Sequence, residues 1–159
     1  MSISSSEGGA GHELPLLLLA GFRSVIDEAH EELAARGHQE LRPAHGFAMQ
    51  AIGTFGATAA EVGRRLGVSK QAAGKTIDRL AELGYVERGG ESADRRRKLV
   101  RLTARGTEAL ALSADAFEHV RTRWAALLGT DRVAALEADL RTAAPGQALR
   151  LDIPGWLAG

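Results

Sequence analysis

A short helix predicted over residues 70–83 has one apolar face and one face suited to hydrogen bonding. Ala73, Ile77 and Leu80 recur at helical spacing, so we expect them to face the protein core. The outward face then carries Lys70, Gln71, Gly74, Lys75, Asp78 and Arg79. This combination of an amide, cations and a glycine indicates a surface that contacts nucleic acid.

Individual side chains on this face match particular nucleic-acid groups. Gln71 can form paired hydrogen bonds with adenine, and Lys75 can donate to guanine. Lys70 or Arg79 can hold phosphates. Gly74 costs the helix about 1 kcal/mol relative to alanine, and the close approach of a duplex gives a reason for that cost.

A run of four cations, Arg95, Arg96, Arg97 and Lys98, follows Asp94. Their mutual repulsion is unfavourable on a protruding loop unless a polyanion neutralises it. The minor groove of DNA concentrates negative potential and attracts arginine. We therefore expect the run to contact DNA, with Asp94 bracing one arginine so that another points at the duplex.

Caps and turns place these groups in a winged helix-turn-helix. Thr58 opens one helix with a capping-box pattern, and Ser69 caps the next helix after a short turn that contains glycine. Alternating apolar and polar residues over 85–88 and 98–102 predict a β-hairpin with a basic tip. In such a motif the second helix can enter the major groove, and we include Thr58 and Ser69 among the expected DNA contacts.

Amphipathic periodicity predicts four more helices, over residues 14–36, from 43 to about 52, over 103–128 and over 131–142. The expected fold class is therefore mostly α with a small β-hairpin. We divide the chain into a disordered N-terminal tail (1–13), N-terminal helices (14–56), a winged helix-turn-helix domain (57–106), C-terminal dimerisation helices (107–142) and a C-terminal extension (143–159).

Charge is distributed unevenly along the chain. Twenty Lys and Arg residues balance twenty Asp and Glu residues. Residues 57–106, however, contain 12 basic and six acidic side chains, which gives this segment a charge of +6 and leaves −6 for the rest. A basic segment on an acidic body is typical of a protein that presents one surface to nucleic acid.

Several functional classes are excluded or disfavoured. The chain has no cysteine, which excludes a disulfide scaffold, a cysteine-ligated zinc site and a thiol sensor. No nucleophile elbow, Walker loop or dinucleotide fingerprint is present, so we expect no enzyme and no cofactor. His30, His38 and His45 could converge with Glu40 on a metal, but scattered histidines are the favoured interpretation and no metal is expected.

The motifs of the basic segment carry a family resemblance. The quoted residues are Asp94-Arg95-Arg96, Val100-Arg101-Leu102-Thr103 and Gly106 in the wing, and Leu66-Gly67-Val68-Ser69, Asp78-Arg79-Leu80 and Gly84-Tyr85-Val86 before it. They resemble the DNA-binding core of the MarR family of winged-helix regulators, including its wing pattern D-x-R…V-x-L-T-x-x-G. The resemblance implies that Arg96 is the minor-groove arginine, that Asp94 holds it, and that residues 69–75 read bases and contact phosphates.

The resemblance also implies a regulatory mechanism. The first helix and the last two would form an obligate homodimer on double-stranded DNA, with half-sites of a pseudo-palindrome about 10 bp apart. The regulator would most simply be a repressor released by a small aromatic or phenolic effector. Phe22, His45, Phe47 and Phe117 could line the effector cleft, and His45 or Arg42 could meet a carboxylate.

One alternative function remains open from the residues alone. A winged helix can serve as a protein–protein interaction module without specific DNA binding. The apolar run over residues 16–20 is far shorter than the roughly 20 residues of a membrane-spanning helix. We therefore expect no membrane partner and a cytoplasmic protein.

Overall fold

A computed structural model describes residues 11–89 and 99–145. Its elements are α1 (Glu13–Ala35), α2 (Pro43–Ile52), α3 (Ala59–Leu66), α4 (Lys70–Glu82), β1 (Val86–Arg88), β2 (Val100–Leu102), α5 (Ala104–Leu128) and α6 (Thr130–Ala143). Helices and one two-stranded sheet thus form the fold class expected from the sequence. Most of the predicted tail over 1–13, the wing tip and the extension beyond residue 145 lie outside the described residues.

One apolar core joins α2, α3, α4, the hairpin and the start of α5. Ala73, Ile77 and Leu80 are buried on α4, as their spacing predicted. The largest fully buried side chains are Tyr85, Met49, Ile52, Ile77, Leu80, Val62 and Val100. The opposite face of α4 is therefore directed away from this core.

The hairpin is shorter than predicted and has an additional partner. β1 pairs antiparallel with β2, with Val86 opposite Leu102. Tyr85 lies immediately before β1, and its side chain is fully buried in the core. Ala57 also pairs with Val100 through two N–H···O bonds of 3.0 and 2.9 Å, a contact that alternation in the sequence did not predict.

Helices α1, α5 and α6 form what we call the helical body. α5 packs against both α1 and α6. Trp124 of α5 packs against α1 at Gly21. Its Cη2 atom lies 3.4 Å from the position that a Cβ on Gly21 would occupy. In α6 the buried residue is Val133, whereas Leu136 and Leu140 of the predicted apolar stripe are exposed.

Apolar side chains of the helical body remain exposed in the single chain. They are Leu14, Leu16, Leu17, Leu18, Leu19, Leu127, Leu128, Leu136 and Leu140. Among the residues that the structure describes, no helix is sufficiently long and apolar to span a membrane.

Candidate nucleic-acid interface

Helix α3 begins at a complete capping box. The Thr58 N–H donates to Glu61 Oε2 at 2.8 Å, and the Glu61 N–H donates to Thr58 Oγ1 at 3.2 Å. The hydrogen bond from the Thr58 backbone is the main cause of a lowered pKa at Glu61. These contacts confirm the predicted helix start, which uses Thr58 as a cap.

A tight turn fixes α4 relative to α3. Gly67 adopts the left-handed conformation with φ 67°, and the Val68 N–H donates to the Gly63 carbonyl at 2.9 Å. A Cβ at Gly63 would lie 2.9 Å from the Val68 carbonyl oxygen, so the close approach requires glycine. Ser69 then caps α4 by accepting the Ala72 N–H at 3.0 Å.

An open groove runs along the outward face of α4. Its lining residues are Ala59, Ser69, Lys70, Gln71, Gly74, Lys75, Asp78 and Arg88. Five of the predicted DNA contacts thus lie together: Ser69, Lys70, Gln71, Gly74 and Lys75. The groove combines an amide and two ammonium groups, which are able to hydrogen-bond with bases, with an excess of positive charge.

Gly74 lines this groove without a side chain. Within residues 11–89 and 99–145, no heavy atom outside its own helix turn and neighbours lies within 4 Å of a Cβ built there. Packing within the described chain therefore does not require glycine at this position. An approaching backbone or base gives glycine a purpose, since every other side chain would fill the groove.

Arg88 lines the groove, although it was not among the DNA contacts predicted from the sequence. It lies on β1 and forms an ion pair with Asp78 on α4. Both side chains are largely exposed, so the pair contributes little to stability. It does hold a guanidinium beside Lys75 and Gln71 at the rim of the groove.

Two other predicted contacts lie outside the groove lining. Arg79 forms an ion pair with Glu82 at 3.0 Å. Its charge also helps to lower the pKa of His45, after the larger effect of burial. Thr58 lies at the N-terminus of α3, beside the lining residue Ala59.

The predicted wing tip is not among the described residues. Asp94, Arg95, Arg96, Arg97 and Lys98 all lie outside them. The base of the wing is described: the Gly89 N–H donates to the Leu99 carbonyl at 2.6 Å. Together with the pairing of Ala57 and Val100, this bond connects the hairpin to the start of α3.

A small cavity lies between α1, α2 and α5. Its lining includes Phe47 and Phe117, together with His30. Of the described residues predicted for an effector cleft, Phe22, Arg42 and His45 lie outside this lining. The cavity has a volume of about 30 Å³, whereas pockets for small molecules usually span roughly 300–1,000 Å³.

His45 and Arg42 have a local structural role instead. The Arg42 N–H donates to His45 Nδ1 at 3.0 Å, which caps the start of α2. Burial, followed by the charges of Arg79, Arg42 and His30, lowers the pKa of His45. Burial also lowers the pKa of His30, partly offset by a backbone hydrogen bond with Leu41.

The histidines considered for a metal do not converge. His38 is hydrogen-bonded to the hydroxyl group of Tyr85, and His45 caps α2. Across residues 11–89 and 99–145, no group of three or more His, Asp or Glu side chains could hold a metal ion. The structure therefore gives no support to convergence of His30, His38 and His45 with Glu40.

Sequence comparison relates the segment that contains this helix-turn-helix to a known family. Residues 41–97 match the model of the MarR family. This segment, which includes α2, α3, α4 and β1, is therefore similar to the MarR family. No curated protein sequence matches the chain significantly.

Solved MarR structures share the fold over most of the chain. The reduced form of MarR from E. coli is 25% identical with a TM-score of 0.69, and the match covers 83% of this chain and 96% of that one. A mutant of MarR from E. coli complexed with operator DNA is 24% identical with a TM-score of 0.67, covering 84% and 94%. A MarR-family transcriptional regulator from Rhodococcus sp. RHA1 is 18% identical with a TM-score of 0.65, covering 88% and 99%. The MarR fold therefore extends beyond residues 41–97 to the flanking helices.

Proposed function

We propose that this chain is a homodimeric transcription regulator that binds double-stranded DNA with sequence specificity. The observation that carries the proposal is the groove along α4, where Gln71, Lys75 and Arg88 surround the open position at Gly74. Such a groove matches the edge of a duplex in shape, hydrogen bonding and charge. The operator complex of the MarR mutant from E. coli supports the same use of this fold.

Base contacts and phosphate contacts are assigned to different side chains. Gln71 and Lys75 would read bases, while Lys70 and Arg79 would contact phosphates. Thr58 and Ser69 would add contacts at the two helix starts. The basic residues of the wing, with Arg96 in the minor groove and Asp94 bracing it, complete the proposed surface.

A second copy of the chain is the proposed partner of the helical body. Five exposed leucines at the start of α1 lie on the same body as four on α5 and α6. Apolar surface of this extent typically marks an association site. Two-fold symmetry would present two α4 helices to half-sites of a pseudo-palindrome about 10 bp apart.

Oligomeric state tests the dimer directly. We expect the double variant Leu16→Glu, Leu17→Glu to sediment as a monomer and to lose operator binding, because charges would be buried at the interface. Phe55→Glu is the matched control, since Phe55 is 89% exposed on the α2–α3 connection. A double variant that remained dimeric would contradict this interface.

Regulation by a ligand is the finer part of the proposal. We propose repression that a small aromatic or phenolic compound relieves by entering between α1, α2 and α5, where Phe47 and Phe117 line the cavity. The small volume of the cavity means that entry must separate these helices. This role implies action in the cytoplasm.

Selection of bound sites from a random pool of duplexes tests DNA binding. We expect one pseudo-palindromic motif, and we expect Gln71→Ala and Lys75→Ala to relax specificity at defined positions by about 1–3 kcal/mol each. Arg96→Ala should weaken binding and reduce the dependence on salt. Recovery of no duplex at low salt, together with stable capture of a protein partner, would favour the interaction-module alternative.

A further inference from the structure

A chain of three polar side chains, of which His38 and Tyr85 are buried and Arg105 is exposed, links the α1–α2 connection to the base of the wing. His38 Nδ1 lies 2.7 Å from the hydroxyl oxygen of Tyr85. Arg105 Nη2 donates to the same oxygen at 3.2 Å, and its guanidinium carbon lies 4.7 Å from the centre of the Tyr85 ring. His38 is 4% exposed and Tyr85 is fully buried, so burial favours keeping these hydrogen bonds satisfied.

The inventory of hydrogens fixes the direction of one bond. Arginine can only donate, so the Tyr85 oxygen accepts from Arg105. The hydroxyl group has one hydrogen of its own, and His38 Nδ1 lies in position to accept it. In that arrangement the hydrogen of the His38 ring is on Nε2.

The backbone of each partner is tied to a different part of the fold. The His38 N–H donates to the Leu33 carbonyl at 2.9 Å, which connects His38 to the end of α1. The Tyr85 N–H donates to the Leu80 carbonyl of α4 at 2.9 Å, and the Tyr85 carbonyl accepts from Thr103 at 3.0 Å. One side-chain bond therefore connects α1 with the end of α4 and the start of β1.

The start of α5 also fits closely against Tyr85. A Cβ at Gly106 would overlap the Tyr85 carbonyl oxygen. The backbone of Tyr85 is therefore held against the start of α5, while its side chain is fully buried in the core.

We propose that His38 is a positioning residue for DNA recognition. By accepting the Tyr85 hydroxyl hydrogen, it sets the orientation of α4 and the wing relative to the helical body, and hence the separation of the two recognition helices. This inference rests on the proposed function, because it needs a dimer that reads two half-sites. It adds a residue that lies outside the groove along α4.

The test compares three single variants of the full chain on selected operator DNA. His38→Asn retains an acceptor near the position of Nδ1, His38→Leu removes the acceptor at similar volume, and Tyr85→Phe removes only the hydroxyl group. Each is measured on the best operator, on an operator with one base pair inserted between half-sites, and on an isolated half-site. One inserted base pair rotates the second half-site by roughly 35°.

We expect wild type and His38→Asn to discriminate strongly against the insertion. His38→Leu and Tyr85→Phe should lose between roughly twofold and thirtyfold in affinity for the best operator, with much less discrimination between spacings. Affinity for the isolated half-site should stay unchanged, which a general loss of folding would not produce. Tyr85→Phe keeps the aromatic ring in the core, so it can test the loss of the same hydrogen bond if His38→Leu fails to fold.

Two results would overturn the proposal. One is unchanged spacing discrimination in Tyr85→Phe, and the other is a His38→Asn variant that behaves like His38→Leu. Nitrogen chemical shifts of the His38 ring supply a readout independent of DNA: we expect hydrogen on Nε2, and hydrogen on Nδ1 would overturn the network. A wild-type chain that selected no duplex would instead contradict the proposed function.

Discussion

Arg88 on the first strand of the wing forms an ion pair with Asp78 on the recognition helix. The pair brings a guanidinium to the rim of the groove that Gln71 and Lys75 also line. Since both partners are largely exposed, their contribution to folding is small. In the proposed complex with DNA, the main effect of the pair would be on the position of the Arg88 guanidinium relative to the duplex.

Removal of Arg88 should separate binding from stability. We expect Arg88→Ala to change the free energy of unfolding by no more than about 0.5 kcal/mol, while it weakens DNA binding and reduces the salt slope by about one unit. Titration of labelled operator at several salt concentrations measures this effect. The matched control is Arg36→Ala, which removes an exposed arginine at the end of α1. Equal losses in both variants would show that Arg88 contributes only net charge.

Gly74→Ala should make the protein more stable and a poorer DNA binder. Alanine favours an exposed helix interior by about 1 kcal/mol over glycine, and the new methyl group meets open space in the described chain. The same methyl group would fill the groove where we place DNA. Chemical denaturation and operator titration measure the two effects. Operator affinity equal to that of wild type would contradict a close approach at this position.

Gly63→Ala should have the opposite effect on stability. Its Cβ would meet the Val68 carbonyl oxygen at 2.9 Å, and that oxygen belongs to the turn between α3 and α4. Overpacking of this kind typically costs about 1–3 kcal/mol, so the midpoint of urea denaturation should fall. A variant as stable as Gly74→Ala would show that the turn can relax freely.

Thr58→Ala should remove half of the capping box and destabilise α3. Loss of an N-cap hydroxyl typically costs about 1 kcal/mol, and the Glu61 N–H would lose its partner at 3.2 Å. Thr76→Ala is the matched control. Thr76 lies within α4, and among the described contacts its hydroxyl group donates only to the Ala72 carbonyl of the same helix. We expect the control to unfold at the same urea concentration as wild type or slightly above it.

The free energy of unfolding should fall as the pH drops from about 7.5 to 5.5. The folded-state pKa values of His30 and His45 lie below the ordinary value of 6.5, mainly because the rings are partly buried. The unfolded chain therefore binds more protons in this range, whereas above it both states are neutral and the two histidines no longer oppose folding. Thermal unfolding should show a shallower pH slope in His45→Asn, which keeps an acceptor for the Arg42 N–H.

Two features allow the pH measurement to distinguish the effect of His30 and His45 from that of other titrating groups. Glu61 and Glu137 have lowered pKa values and stabilise the fold above their ordinary value of 4.5, so their contribution is lost only in more acidic solution. His12→Asn provides a matched control, since His12 is exposed at the start of α1. The explanation fails if this control flattens the pH slope as much as His45→Asn does.

Local features of this protein were predictable from sequence because their partners are close in the chain. The caps at Thr58, Ser69 and Thr103 each use a backbone N–H three residues ahead. The buried face of α4 follows from helical spacing alone. The fold class and the clustering of Ser69–Lys75 on one surface depend on these local rules.

Contacts between distant segments were not predictable in the same way. Ala57 pairs with Val100 as a single bridge, too short to leave an alternating pattern. His38 and Tyr85 are 47 residues apart, and neither residue type indicates which side chain it will contact. The aromatic residues Phe47 and Phe117 do line the same cavity, whereas His45 forms a helix cap that its position three residues after Arg42 allows.

In the proposed regulation, the small cavity between α1, α2 and α5 would limit the kinetics of an aromatic effector. At about 30 Å³ the cavity is smaller than usual ligand pockets, so an effector that entered there would bind a conformation, with these helices further apart, that makes up only a fraction of the ensemble. Its apparent affinity is the intrinsic affinity reduced by that fraction. Its observed binding rate would level off at the rate of helix separation as concentration rises. A weak effector of this protein would therefore still fit its site closely once the helices had opened.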